Sequence, residues 1–294
     1  MRLDDLDPTS NARDLGSGGG GGGLGLLGFL PLLLGRKMGC GTIVLLGIIA
    51  IAYFAMSGGL GGITGGSSGP VAGSGGGATG AAACNTAERK FACQVMTSTE
   101  QTWGPIFQSA GQTYTPATIN FFVGGTNSGC GQASSAVGPF YCPSDKGVYL
   151  DTAFFNELSQ RFGAKGDFAQ AYVIAHEVGH HIQNLLGTSE EVSRVQAQGS
   201  RAEGNAASVK LELQADCFAG VWAARNKSRM EPGDLEEGMT AANAIGDDTL
   251  QRESQGGVQP ESFTHGTSAQ RVAWLRRGLE TGDPAQCDTF SSAL

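Results

Sequence analysis

Three of the four histidines in this 294-residue chain stand in one short stretch, HEVGHH at 176–181, inside the apolar run VIAHEVGHHIQNLLG. A helix over 167–186 puts His176 and His180 one turn apart on one face. Two imidazoles so placed can converge on a single ion. Glu177, one step round the helix, reaches a water beside that ion rather than the ion itself. Val173, Ile174, Ala175 and Val178 mark the helix as buried, where ionisable groups without partners are costly. A fold that holds this segment must bring a third ligand to it from elsewhere in the chain.

That ligand is not supplied locally, because position 183 is Gln and 186 is Leu, which excludes a three-histidine spacing. It is expected in LELQADCFAGVWAAR (211–225), where Glu212 and Asp216 stand four apart on a second apolar helix. Glu212 completes a His/His/Glu set for Zn2+, which leaves a coordination position open as hydrolytic zinc requires. Asp216 is placed to accept the free ring N–H of a liganding histidine. His181 lies off the ligand face and is expected to pack or to support.

Composition divides the chain. Of its 48 glycines, 25 precede residue 84, and residues 1–83 carry four basic and four acidic groups. The whole formal charge of -8 therefore lies beyond them. Such an acidic unit is a poor surface for nucleic acid, and no nucleic-acid partner is expected. Residues 38–56, MGCGTIVLLGIIAIAYFAM, carry no charge. At ~1.5 Å per residue they match roughly one hydrocarbon thickness. Arg36 and Lys37 stand before them, which predicts a cytoplasmic N-terminus and an exported remainder. The preceding segment is too long for the n-region of a signal peptide, so an uncleaved anchor is expected. The expected organisation is a cytoplasmic Gly-rich segment 1–37, a transmembrane helix 38–56, a Gly/Ser-rich linker 57–83 and a catalytic domain 84–294. This describes a single-pass cell-membrane protein with its catalytic domain extracytoplasmic. Six cysteines follow the apolar run, and short loops suggest Cys84 with Cys93 and Cys130 with Cys142, leaving Cys217 with Cys287.

Apolar periodicity predicts helices over Glu88–Gln108, Asp167–Leu186, Arg201–Arg225 and Asp234–Ala244, and a last one opened by a capping box at Thr267. Asp167 is expected to cap the histidine helix. Thr118–Val123 and Gly147–Asp151 have strand composition, with a Gly-rich loop between them. The fold class is α+β, mostly helical with a small sheet.

HEVGHH with ELQADCFAG resembles the gluzincin pattern of zinc peptidases. CGQASSAVGPFYCPSDKGVYLD (130–151), ELQADCFAGVWA (212–223), ANAIGDD (242–248) and THGTSAQRVAWLRRG (264–278) resemble, more specifically, the neutral zinc metallopeptidase family of bacteria. The likeness covers most of 84–294. It implies a zincin-like fold, a membrane anchor and a zinc-dependent endopeptidase acting on peptide or protein. His265 is weighed as the donor to the oxygen that gains charge on the attacked carbonyl, against a ring that only holds its own loop. Tyr149 is a weaker candidate for that donor. Asp247 and Asp248 either orient His265 or cap helices, and Gly131–Gly138 could offer an edge to an extended peptide. Two other classes stay open: a zinc hydrolase of a non-peptide or cell-wall amide, and a non-catalytic anchored scaffold retaining the zinc site.

Overall fold

The computed structural model describes residues 1–17 and 77–291. A four-stranded sheet in the order β1-β2-β6-β5 forms one side of the unit, built from β1 (Ala12–Ser17), β2 (Thr118–Val123), β5 (Phe140–Cys142) and β6 (Gly147–Leu150). The first three strands in that order run parallel and β5 runs antiparallel to β6. A separate hairpin joins β3 (Gly125–Ser128) to β4 (Gly131–Ser134). The two-residue period of β2 sorts its side chains: Ile119 and Phe121 join Val148 and Leu150 in the main core, while Phe122 packs with Tyr149 and Cys142 on the other face. Side chains on both faces are thus buried, those of the second face by packing on one another.

Eight α-helices are present among the described residues: α1 (Ala87–Ser109), α2 (Ala153–Gln160), α3 (Asp167–Leu186), α4 (Thr188–Gln198), α5 (Arg201–Arg225), α6 (Asp234–Ala244), α7 (Asp247–Gln255) and α8 (Ser268–Thr281). Capping boxes open α5, through Ser200 and Glu203, and α8, through Thr267 and Gln270. The five expected helices and two expected strands fall within a residue or so of their observed ends. The cap of α3 differs. Asp167 is its first helical residue and Gly166 its cap, while Glu237 from α6 accepts the Phe168 N–H.

α5 and α8 meet backbone to backbone. A Cβ on Gly278 would stand 1.9 Å from the Cys217 carbonyl oxygen. In an ordinary helix Gly→Ala gains up to about 1 kcal/mol, but here the clash decides the sign. Gly278→Ala is expected to destabilise the unit by about 1–3 kcal/mol, read as a lower denaturation midpoint at unchanged slope.

The disulfides are Cys84–Cys93, Cys130–Cys142 and Cys217–Cys287, the expected pairs. The last fastens the C-terminal segment to α5 next to Asp216.

The domain boundary expected at residue 84 needs correction, because residues 1–17 belong to the same folded unit as 77–291. β1 pairs with β2, Ala12 opposite Ile119, and Leu3 is buried in the main core. Arg89 of α1 holds Asp14 at 2.7 Å. An N-terminal segment hydrogen-bonded into this sheet is part of the folded unit rather than a separate piece. The apolar run 38–56 and the linker up to residue 76 lie outside the described residues. Among the described residues no helix is long and apolar enough to cross a membrane.

Candidate metal and catalytic site

The site forms where α3 crosses α5. A Cβ on Gly179 would fall 2.9 Å from the Ala215 carbonyl oxygen, so the glycine of HEVGH lets the two backbones touch. Ala215 stands between Glu212 and Asp216 on α5, and Gly179 precedes His180 on α3. The contact therefore sets the distance from histidines to carboxylates. Gly179→Val is expected to push the helices apart and weaken zinc binding by about 10–100-fold, the range for disturbing a ligand's support. A chelator-competition titration measures it.

Across this crossing His176 Nε2 lies 3.2 Å from Glu212 Oε2, and His180 Nε2 lies 3.4 Å from Glu212 Oε1. One donor atom from each of the three residues falls within 4.8 Å of the others. The remaining ring nitrogens are occupied from behind. His176 Nδ1 meets Asp216 Oδ1 at 2.8 Å, and His180 Nδ1 meets Gln183 Oε1 at 2.8 Å. Both partners accept, so with a metal bound each ring would keep its proton on Nδ1 and leave Nε2 free to face the ion beside Glu212. Two neutral imidazoles and a carboxylate form a donor set that fits Zn2+.

Gln183 entered the sequence reading only as the residue that ruled out a third histidine. It is fully buried, and its amide N–H2 donates to Leu211 O and Gln214 Oε1, which aims its oxygen at His180. The available signal was its place three residues after His180 on the same helix. Burial works against charge on His176, yet Asp216 and Glu212 outweigh it and push its pKa up to about 10. The surroundings thus favour a cation at this point.

Glu177 is almost wholly buried and its carboxylate makes no hydrogen bond to another described residue. Burial raises its pKa, with His176 and His180 pulling the other way. A carboxylate with no competing donors and a raised proton affinity is suited to general-base work. It lines one cleft with His176, His180, Glu212 and His265, about 620 Å³ in volume.

His265 reaches that cleft from the loop before α8. Asp247 Oδ2 accepts the backbone N–H groups of Thr264, His265 and Gly266, and Oδ1 lies 3.2 Å from His265 Nδ1. One carboxylate therefore folds the loop and turns the ring. Asp248 caps α8 through the Ser268 N–H. His181 is not a ligand. Its Nε2 donates to Thr115 O at 2.6 Å and its Nδ1 accepts from Tyr141 at 2.9 Å. Burial lowers its pKa to about 4, so it stays neutral and holds β5 against α3. Tyr149 does not line the cleft; its hydroxyl donates to Asp145 and its ring stacks on Phe140. The strand edge beside the cleft belongs to β5 rather than to β4.

Residues 1–290 match the family described as "Putative neutral zinc metallopeptidase". The chain belongs to this family. Zn2+ is the cofactor that membership implies, and His176, His180 and Glu212 are the donors this member offers for it. An uncharacterized Escherichia coli protein, YpfJ, is 52% identical over 207 residues, covering 70% of this chain and 72% of its own. An uncharacterized Mycobacterium tuberculosis protein is 44% identical over 225 residues, covering 70% and 73%. No solved structure matches the chain.

Proposed function

We propose that this family member is a zinc-dependent endopeptidase with Glu177 as general base and His265 as the donor to the oxygen that gains charge. The convergence of His176, His180 and Glu212 in a cleft that also holds an unbonded Glu177 carries the reading. When bound, zinc polarises a carbonyl and acidifies water. Glu177 then accepts the proton and passes it to the departing amine. β5 is one of the two edge strands of the four-stranded sheet, and its Phe140 and Tyr141 line the cleft. An extended peptide can pair along such an edge, which supports a peptide over other amides. Three disulfides favour an oxidising compartment, and the apolar run 38–56 favours action at a membrane.

The His265 role has a pH signature. Its Nδ1 proton points at Asp247, so Nε2 donates only when the ring is charged. Burial opposes that charge, while the nearby Glu212 carboxylate and Asp247, which touches the ring, raise the pKa above the ordinary value. With zinc on Glu212, the Asp247 contact is the raising influence that remains. A raised pKa keeps the donor present below it and loses it as pH climbs through it. Turnover should fall along an alkaline limb, and Asp247→Asn should move that limb to lower pH. His265→Ala should lower kcat by about 10²–10³ with zinc retained.

The test of the overall reading is metal content of the purified chain, then cleavage of an unstructured protein beside peptidoglycan. About one zinc with cleavage of the protein is the expected result. Cleavage of peptidoglycan alone would replace the peptide by a cell-wall amide, and bound zinc with neither activity would leave a scaffold.

A further inference from the structure

Asp216 is enclosed by three helices and has no exposed surface. Its Oδ1 accepts from His176 Nδ1 at 2.8 Å, from the Tyr172 hydroxyl at 2.6 Å and from an Arg271 terminal nitrogen at 2.9 Å. Its Oδ2 accepts from Arg271 Nε, also at 2.9 Å. Arg271 comes from α8, is 3% exposed, and uses its other terminal nitrogen on the Ile245 carbonyl. Tyr172 stands one turn before His176 on α3.

A carboxylate held by one imidazole alone can rotate about its terminal bond and swing its lone pairs off the ring. The forked guanidinium contact removes that freedom, because two parallel N–H groups fix the plane of the carboxylate. The Tyr172 hydroxyl then takes a further lone-pair direction on Oδ1. His176 Nδ1 is the remaining donor on that oxygen.

We infer that Arg271 and Tyr172 are positioning residues of the metal centre: they clamp Asp216 so that it holds the His176 ring with Nε2 facing Glu212. The inference rests on the zinc reading of the site and adds two residues that do not reach the ligand atoms facing the ion: the nearest, an Arg271 terminal nitrogen, lies 3.4 Å from His176 Nδ1, on the far side of the ring. A clamp that served only to hold α8 on the fold would leave metal affinity alone.

The experiment uses the full chain, zinc affinity by chelator competition, and the visible absorption of the cobalt-substituted protein. Tyr172→Phe keeps the ring and loses only the hydroxyl; Arg271→Lys keeps the charge and loses the fork. Each should weaken zinc binding by about 10–100-fold and shift the cobalt bands. Each combined with Asp216→Asn should fall short of the product of the separate effects, because both act through one carboxylate. Zinc affinity within about twofold of wild type in Tyr172→Phe and in Arg271→Lys overturns the inference. So do losses that multiply independently with Asp216→Asn. If Arg271→Lys fails to fold, Tyr172→Phe decides. A wild-type chain that takes up no zinc overturns the zinc reading itself, and the inference with it, before any variant is made.

Discussion

Glu177→Gln is expected to keep one zinc per chain and to lose turnover by about 10²–10⁴-fold, the usual size of a general-base contribution. The substitution is nearly isosteric and buried, and the carboxylate it replaces has no hydrogen bond to a described residue that its loss would orphan. Stability should therefore change little. Metal content, circular dichroism and kcat measured on one preparation check this. Undiminished turnover in the zinc-loaded variant would remove Glu177 from the chemistry and leave the ligand set without a base.

Glu212→Ala should have the opposite profile, with metal lost first and activity lost as a consequence. Its carboxylate faces both ring nitrogens at 3.2 and 3.4 Å, so removing it leaves two imidazoles without their third donor. The loss of affinity should exceed the about 10–100-fold expected from disturbing an outer partner. A second readout comes from linkage. At a zinc concentration of 1,000 times its dissociation constant, the folded chain gains about 4 kcal/mol from binding. In wild type, added zinc should raise the unfolding midpoint; in Glu212→Ala that response should vanish. A variant that still responds would place the third ligand elsewhere.

The candidate ligands were legible because their spacing is local. His176 with His180, and Glu212 with Asp216, each lie one helical turn apart, and flanking residues such as Ala175, Val178, Leu213 and Phe218 showed both helices as buried. The partners that orient them were less visible. Gln183 has many uses on a helix, and Arg271 lies 55 residues beyond the aspartate it clamps. Nothing in local periodicity pairs residues so far apart. β1 escaped for a similar reason. Its ARDLGS has two charges in six residues, and what makes it a strand is pairing with residues more than a hundred positions away. α2, α4 and α7 are short or polar, with too few apolar positions to mark a face. Asp247 showed its turn chemistry in sequence, but its hold on the His265 ring depends on how that turn folds.

Where the chain departs from β1 and where it comes back are next to each other. The Asp14 N–H donates to the Ala78 carbonyl at 2.8 Å, which closes a neck between residues 14 and 78. The neck sets residues 14 and 78 side by side, so β1 and the segment that leads into α1 enter the folded unit at one point. Because Arg89 of α1 also holds Asp14, loosening this neck would loosen the edge strand and the first helix together.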